Sequence, residues 1–302
     1  MIVAVPTFRR PAQLRILLDA LAELQRPCDL AVLVADNDGE SQQGLAVARE
    51  WGENGGGLPV RAMLVAERGL ASIRNALLAA ALEDADATHV AMIDDDEWPD
   101  PQWIAALLEM QQRTDADIVG GPVYPAFASP VPAVVRACRF FRPSPLPDGP
   151  VDIVWGTNNV LVTRACLEQD GCTWFDPRYG LSGGEDADFF IRQRAEGRRF
   201  AWAGRAAVHE AVPEARARLS WLLRRAFRVG NTNGRIQIQR RFRGRGPAAV
   251  TGVGFAKLML ALARLPLGVL SATSRADACC DIAEAGGMLL GAFGYRYEEY
   301  AA

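Results

Sequence analysis

The sequence has little lysine and little histidine, and its cysteines follow no regular pattern. Among its 302 residues and 33 basic side chains, the one lysine is Lys257 and the two histidines are His89 and His209. Its six cysteines form no CxxC pair and no recurring spacing. That pattern argues against a zinc-finger site and a disulfide framework. We therefore expect reduced thiols, as in a cytoplasm.

Long uncharged apolar segments are also missing. The chain begins MIVAVPTF, without a charged leader and a long apolar core, so we expect no secretory signal. The most apolar stretch, 247–271, is interrupted by Lys257, Arg264 and Pro266. These interruptions make it a poor transmembrane candidate. Since half of the residues are apolar, the chain can still bury one large core or two modest ones.

Acidic residues are absent from 215–246, a segment that carries ten arginines although the net charge is only -3. Such a polycation would be attracted to anionic lipids or to nucleic acid. Aromatic residues are sparse there, and apolar residues share the helical faces, which favours an anionic membrane surface over nucleic acid. These faces, which could instead pack on the protein, contain Leu219, Leu222, Leu223 and Phe227, then Phe255, Leu258, Met259 and Leu262.

The first 124 residues alternate short apolar runs with helical patterns. The runs are IVAVPTF, DLAVLVADN, VRAMLVA, THVAMID and DIVGGPVY, with helices predicted over 11–25, 42–51, 70–82 and 101–112. Unbroken apolar strands between helices indicate a parallel sheet covered on both faces. Further strands are predicted in DIVWGTNNVLVT and RFAWAG. The sequence thus predicts an α/β, Rossmann-like, doubly wound domain over 1–212 and a basic, mainly helical region over 213–302.

Four acidic residues follow the fourth predicted strand in HVAMIDDDEW. Asp94, Asp95 and Asp96 would fall at the carboxyl end of a buried strand, where open α/β sheets bind ligands. Because like charges repel, the cluster needs a cation, an arginine or water beside it. Carboxylates one residue apart suit Mg²⁺ or Mn²⁺, which in turn bind phosphates. A solvated acidic loop is the alternative.

A second acidic group opens a predicted helix in SGGEDAD. Ser182 and Glu185 fit a capping box, and acids in a first turn suit the helix dipole. A carboxylate at a glycine-flanked helix start is also well placed to act as a general base. The glycines at 55–57 precede a strand instead of linking a strand to a helix, so they predict a turn and not a phosphate loop.

The ordered motifs VAVPTFRRP, VADND, ERGLASIRNALL, IDDDEWPDPQW, GTNNVLVTR and GGEDADFFIR resemble a family 2 glycosyltransferase of GT-A fold, of the type that assembles bacterial polysaccharides. The resemblance covers about residues 1–210. It implies an inverting, metal-dependent transfer of a hexose from a nucleotide sugar, UDP-linked, to an acceptor hydroxyl. A lipid-linked glycan is the implied acceptor.

The resemblance also implies roles for individual residues. Asp186 would be the catalytic base, next to Glu185, and Mn²⁺ or Mg²⁺ would be bound by Asp96 and His209. The donor would contact Pro6, Thr7, Arg9, Asp36, Arg68, Arg74, Asn75, Asp94 and Asp95. The sugar and acceptor pocket would contain Trp155, Gly156, Thr157, Asn158 and Asn159.

Two other functions stay open at this point. A nucleotidyltransferase of similar fold would also use acidic metal ligands, but it would not need the Glu–Asp pair as a base. A nucleic-acid-binding protein would use the basic C-terminal region, with the α/β part as a scaffold. We favour the glycosyltransferase, bound peripherally to the cytoplasmic face of the cell membrane through residues 213–271, and expect no nucleic-acid partner.

Overall fold

A computed structural model describes residues 1–144, 146–168, 174–244, 246–266 and 271–298. The chain divides into a first unit of residues 1–123, 144–180 and 192–210, and a second unit of residues 124–143, 181–191 and 211–302. The division near residue 211 lies close to the boundary predicted after residue 212. The second unit additionally takes in two earlier segments, 124–143 and 181–191.

Strands and helices alternate through the first half of the chain, as the sequence predicts. The strands are β1 (Ile2–Thr7), β2 (Ala31–Asp36), β3 (Val60–Leu64), β4 (His89–Ile93), β5 (Glu97–Pro99), β6 (Ile118–Gly120), β7 (Val123–Phe127), β8 (Gly149–Val151), β9 (Asn159–Thr163), β10 (Phe200–Trp202) and β11 (Val208–Val212). The α-helices are α1 (Pro11–Ala22), α2 (Gln43–Glu53), α3 (Leu70–Leu82), α4 (Trp103–Thr114), α5 (Ala133–Arg136), α6 (Arg164–Leu167), α7 (Glu185–Ala195), α8 (Leu219–Gln239), α9 (Pro247–Arg264) and α10 (Ala272–Ala292).

Eight strands of the first unit form one sheet in the order β3-β2-β1-β4-β9-β6-β10-β8. The strands β1, β2, β3 and β4 are parallel to their neighbours in this group, and β10 is parallel to β6. By contrast, β9 runs antiparallel to β4 and β6, and β8 antiparallel to β10. The predicted mostly parallel α/β fold is confirmed, with β8 and β9 as the exceptions.

The helices of the first unit follow the spacing of their leucines. In α1, Leu14, Leu17, Leu18 and Leu21 are all fully buried. This spacing of three and four residues puts them on one face of the helix, against the sheet. The helix ends at Ala22, earlier than the predicted residue 25, whereas α3 has the predicted bounds. Strand residues such as Val3, Val5 and Val34 complete this core.

The predicted strand DIVWGTNNVLVT forms only in its second half. Residues 152–158 are irregular, and β9 starts at Asn159. The Asn159 side chain accounts for the change, because its amide donates to the carbonyls of Pro122 and Ala206 at 2.9 and 2.8 Å, while Trp103 donates to its oxygen. A buried polar side chain with three partners thus fixes the point where the strand begins.

In the second unit, α8 and α10 approach each other through glycines. A Cβ built on Gly230 of α8 would lie 1.9 Å from the Glu284 carbonyl oxygen, and one on Gly287 of α10 would lie 2.0 Å from the Phe227 oxygen. At Gly234 and Gly291, one turn further along each helix, a Cβ would lie 2.7 Å from the Met288 oxygen and 2.3 Å from the Asn231 oxygen. No side chain fits at these four positions, so the two helix backbones are in direct contact.

The α8 apolar residues predicted to enter a membrane lie in or beside the core of the second unit. Leu222 is fully buried in a cluster with Phe141, Ala226 and Ala276. Leu219, Leu223 and Phe227 are partly buried. Leu222 is therefore not available to a membrane, because α8 packs against α5 and α10. For the three partly buried residues, a membrane contact stays a prediction.

In α9 both charged side chains lie beside acidic residues of α10, while several large apolar side chains are exposed. Lys257 forms an ion pair with Glu284 of α10, and Arg264 lies 3.7 Å from Asp281. Meanwhile Phe255, Met259 and Leu262 are 53%, 64% and 43% exposed. Such polarity is the reverse of a surface helix in water. By length and composition α9 could also cross a membrane, with 17% of it buried. Residues 267–270, which belong to the apolar stretch 247–271 considered in the sequence, lie outside the described residues.

Candidate active site

The carboxyl ends of β1, β2 and β4 carry polar side chains to one edge of the sheet. Thr7 and Asp36 are register partners at the ends of β1 and β2, and β4 pairs with β1 on its other side. The three aspartates follow β4 directly. Because these strands are parallel neighbours, the side chains that follow them share an edge. The structure thus brings together Thr7, Arg9, Arg74 and the Asp94–Asp96 group within the first unit.

The central aspartate of the three is turned into the protein. Asp95 is only 3% exposed and accepts hydrogen bonds from the Thr7 hydroxyl at 2.8 Å and the Phe8 backbone nitrogen at 3.3 Å. Burial raises the pKa of Asp95 to about 6, and the charge of Asp96 adds to the rise, while Arg10 and Thr7 oppose it. Asp95 therefore connects the acidic loop to Thr7, Phe8 and Arg10 in the interior. Its contact with the donor stays a prediction.

Arg10 supplies the positive charge that the acidic cluster requires. Its Nη1 lies 2.7 Å from Asp95 Oδ1 and 2.9 Å from Asp96 Oδ2. Although burial opposes it, the charges of these two aspartates raise the pKa of Arg10. Sequence reasoning missed this residue. The signal was present in the Arg9–Arg10 pair after β1, at the same sheet edge as the aspartates.

Asp94 is the most accessible carboxylate of the three. Its side chain is 33% exposed, compared with 5% for Asp95 and 11% for Asp96. Arg74, which is almost buried in α3, places its Nη2 3.2 Å from Asp94 Oδ1. An arginine thus lies beside the most exposed carboxylate of the cluster. Arginine side chains form strong hydrogen bonds with phosphate groups.

Two further arginines lie near the end of β1. Arg9 forms an ion pair with Asp38 at 3.0 Å, and its guanidinium lies 5.0 Å from the centre of the Phe8 ring. Arg68 lies over the same ring at 5.0 Å. The hydrogen bond from Arg9, with a second from Ser41, holds the pKa of Asp38 well below its usual range. This edge therefore carries fixed positive charge beside its carboxylates.

Two of the predicted donor contacts have their polar groups engaged within the protein. Asp36 is fully buried, and its carboxylate accepts from the backbone nitrogens of Asp38 and Leu45, each at 2.9 Å. Asn75 exchanges two hydrogen bonds with the backbone of Phe175. These contacts fix the local loops, and a donor role for either residue stays a prediction, as it does for Pro6 at the end of β1.

Glu97 is buried beneath the cluster, and sequence reasoning did not single it out. It is 1% exposed and accepts hydrogen bonds from the Asp94 backbone nitrogen at 3.0 Å and the Asn158 side chain at 2.7 Å. Burial raises its pKa well above the usual range, and the charges of Asp94 and Glu210 add to the rise. Glu97 thus joins the acidic loop to the segment 155–159.

Glu97→Gln is expected to preserve stability, whereas Glu97→Ala should lower the melting temperature. Glutamine keeps the shape, and rotation of the Asn158 amide presents its oxygen to the new donor. Alanine leaves two buried donors without acceptors, at about 1–3 kcal/mol each. Thermal unfolding of both variants measures the difference. Equal melting temperatures for the two would contradict the role given to Glu97.

The remaining predicted pocket residues differ in accessibility. Trp155 is 48% exposed, while Thr157 is 2% exposed and its hydroxyl has no hydrogen-bond partner among the described residues. Gly156 lies between them, and Asn159 is held in the interior as described above. A half-exposed aromatic ring beside polar groups suits a sugar face, so Trp155 is the strongest pocket candidate of this segment.

His209, predicted as a metal ligand, is engaged with neighbours in the first unit. Its Nε2 lies 3.0 Å from Asp100 Oδ1, and its ring stacks on Trp98 at 5.7 Å. Within the described parts of the chain, no three His, Cys, Asp or Glu side chains are grouped to hold a metal. Asp94 and Asp96 nevertheless fit a cation that keeps waters and takes other ligands from a diphosphate, since Mg²⁺ needs only one or two carboxylates in such sites.

Glu185 and Asp186 begin α7 in the second unit. Glu185 is 1% exposed, whereas Asp186 is half-buried. The Asp186 carboxylate accepts from the backbone nitrogen of Ala187 at 2.7 Å. Of the pair, Asp186 is therefore the more accessible side chain, and the base role predicted for it stays a prediction.

The chain has relatives of known family and fold. Residues 2–162 match the model of glycosyl transferase family 2. The succinoglycan biosynthesis protein ExoM of Rhizobium meliloti (strain 1021) is 33% identical over 245 residues, covering 78% of this chain and 74% of the relative. The family match covers most strands of the first unit's sheet.

Solved structures show the same fold at low identity. The mannosyltransferase PcManGT from Pyrobaculum calidifontis, in complex with GDP-Man and Mn2+, superposes with a TM-score of 0.61 at 20% identity over 95% of this chain and 86% of its own. TarS 1-349 of S. aureus, in complex with UDP, gives 0.54 at 15% identity over 93% and 89%. Against a longer TarS structure the TM-score is 0.55 at 16% identity, with 79% of this chain and 42% of that chain covered.

The mostly parallel sheet, its carboxylates after β4 and these neighbours define a protein of the GT-A type. Folds of this kind host several activities, so the family must come from the sequence match. That match spans residues 2–162, and a relative is 33% identical over most of the chain. The chain belongs to glycosyltransferase family 2.

Proposed function

We propose that the protein is an inverting, metal-dependent hexosyltransferase that uses a UDP-linked sugar and an acceptor hydroxyl on a lipid-linked glycan, in the synthesis of a cell-surface polysaccharide. The observation that carries the proposal is the edge where Asp94, Asp95 and Asp96 meet Arg10 and Arg74 in a family 2 chain. The similarity to ExoM, a succinoglycan biosynthesis protein, supports a polysaccharide product. The GDP-Man, UDP and UDP-GlcNAc complexes of the neighbours support a nucleotide-sugar donor.

In the proposed reaction Asp186 takes the proton of the acceptor hydroxyl. The oxygen then attacks the anomeric carbon from the face opposite the diphosphate, the bond to the diphosphate breaks, and the configuration inverts. Arg68 and Arg74 provide fixed positive charge that stabilises the departing nucleoside diphosphate. Trp155 supplies an apolar surface for the sugar ring.

Mn²⁺ or Mg²⁺ would be held by Asp94 and Asp96, with the remaining ligands from donor phosphates and water. Bound there, the ion would act as a Lewis acid toward the leaving diphosphate. Two arginines of the first unit would orient these carboxylates. Arg10 holds Asp96, and Arg74 holds Asp94. His209 could bind the ion through Nε2 only if its hydrogen bond with Asp100 broke.

The donor class is tested by thermal unfolding with UDP, GDP, UDP-glucose and GDP-mannose, each with and without Mn²⁺. A ligand present at about 100 times its dissociation constant stabilises by about 2.7 kcal/mol, so UDP with Mn²⁺ should raise the melting temperature. A subsequent assay should detect a nucleoside diphosphate as product. Release of pyrophosphate from a nucleoside triphosphate would instead establish a nucleotidyltransferase.

We also propose that α9 lies on the cytoplasmic face of the membrane, where a lipid-linked acceptor is presented. Supporting this, its outward face contains Phe255, Met259 and Leu262, while the charged side chains face α10. The adjacent arginine-rich segment would contribute about 1 kcal/mol for each basic residue near anionic headgroups. Apolar residues and arginines would thus act together.

Vesicle flotation is expected to show binding to anionic but not to neutral vesicles, weakened by added salt. Replacing Phe255, Met259 and Leu262 together with serine should abolish it, because the apolar area inserted in the interface is lost. Ile16→Ser is the matched control, since Ile16 is 55% exposed on α1 of the first unit. Absence of binding to anionic vesicles at low salt would end the membrane proposal.

A further inference from the structure

A buried ion pair attaches the first turn of α7 to the end of α8. Asp188 is fully buried, and its two carboxylate oxygens accept from Arg240 Nε at 2.6 Å and Arg240 Nη2 at 3.0 Å. Arg240 is the C-cap residue that directly follows α8, and its side chain is 25% exposed. A two-point contact of this kind fixes direction as well as distance, because the guanidinium and carboxylate planes must align.

The same helix also contacts the loop before α7. Gly184 has φ +94°, and a Cβ at this position would lie 2.1 Å from Thr232 Cγ2 and 3.3 Å from Ile236 Cδ1. Thr232, Ile236 and Arg240 are spaced four residues apart, so they lie on one face of α8. This face touches the chain just before Glu185 and again at Asp188, on both sides of Asp186.

These contacts set the rotation of the first turn of α7. Asp186 and Asp188 are two residues apart, which corresponds to about 200° around a helix. When Asp188 is held inward by Arg240, Asp186 must therefore point to the other side of α7. Its half-exposed position agrees with this geometry.

We propose that Arg240 is a positioning residue, which directs the Asp186 carboxylate by holding Asp188. The inference rests on the proposed function, because it takes Asp186 as the general base. It also gives one of the ten arginines of 215–246 a role inside the protein. If the Arg240–Asp188 ion pair only stabilised the fold, its loss would affect folding without acting through Asp186.

Arg240→Lys is the first test, since lysine keeps the charge but loses the two-point contact. The readout is kcat for release of the nucleoside diphosphate from UDP-glucose or GDP-mannose, whichever the wild type hydrolyses, with water in place of the acceptor. We expect kcat to fall about tenfold, because a misplacement of about 1 Å costs up to about 100-fold. The affinity for the donor should be unchanged.

Arg142→Lys is the matched control. Arg142 contacts both oxygens of Asp277 at 2.7 and 2.8 Å, also in the second unit, but in a pair without α7 residues. It should leave kcat within about twofold of wild type. A fall in kcat as large as that of Arg240→Lys would show a general loss of packing and overturn the proposal.

A double-mutant cycle shows whether Arg240 acts through Asp186. In an Asp186→Asn background, Arg240→Lys should change the residual rate by less than about twofold, because the base is already absent. An equal fold-change in both backgrounds would overturn the positioning role while the glycosyltransferase stands. Conversely, unchanged turnover in Asp186→Asn itself would remove the proposed base and this inference together.

Thr232→Ser is the second variant, in case Arg240→Lys does not fold. It removes only the methyl group that touches the Gly184 position. We expect a smaller fall in kcat with unchanged donor affinity, and again no further effect in the Asp186→Asn background. Wild-type kcat in a folded Thr232→Ser variant would show that the α8 face does not position the loop.

Discussion

Asp186→Asn is expected to lower turnover by about 10²- to 10⁴-fold, the usual cost of losing a general base. Asparagine has the same shape and keeps an oxygen to accept the hydrogen bond from Ala187. It cannot take the proton of the acceptor. Donor binding should therefore remain, since the donor contacts are expected in the first unit. Steady-state rates with the true acceptor, together with calorimetry of UDP and Mn²⁺, measure both quantities.

The matched control is Asp277→Asn, which makes the same change at a carboxylate paired with Arg142. Its turnover should stay within about twofold of wild type. If Asp186→Asn were as active as this control on the true acceptor, the base would have to be another residue. Such a result would also reopen the nucleotidyltransferase alternative, which needs no base at this position.

Asp96→Ala is the second change with a large expected effect. It should weaken Mn²⁺-dependent UDP binding by at least about 10- to 100-fold, the range that even outer-shell changes cause at metal sites. The fold should survive, because Arg10 retains its contact with Asp95 at 2.7 Å. Calorimetric titration of UDP with and without Mn²⁺ gives the comparison.

Asp29→Ala serves as the control for that experiment. Asp29 is an exposed aspartate just before β2, at the opposite end of the strand from the acidic cluster. It should bind UDP and Mn²⁺ like the wild type. Unchanged Mn²⁺-dependent binding in Asp96→Ala would show that the cluster is a charge pair with Arg10 and not a metal site.

The strands and helices of the first unit could be predicted because their apolar periodicity is strong. The leucines of α1 and the unbroken apolar runs of β1, β2 and β4 decide those elements locally. The direction of β9 could not be predicted, since it depends on which strands lie beside it. Its start depends on Asn159, whose partners Pro122 and Ala206 are distant in sequence.

The position of the acidic cluster at the carboxyl edge of the sheet could be predicted, but not the internal order of its aspartates. Three consecutive aspartates look equivalent in sequence. The structure distinguishes them because Asp95 is held by Thr7 and Arg10 in the interior, while Asp94 stays partly exposed. The polarity of α9 was equally hidden, because a helical wheel does not tell which side faces α10.

The glycine contact between α8 and α10 restricts how this sequence can change over evolutionary time. Substitution at Gly230, Gly234, Gly287 or Gly291 would push apart two helix backbones that now touch. Since α8 carries Arg240, such a shift would reach the α7 turn without altering any chemical group. Related proteins that keep the activity should therefore accept substitutions on the outer surfaces of these helices but retain glycine where α8 contacts α10. An exception would need simultaneous replacements that change the distance between both helices.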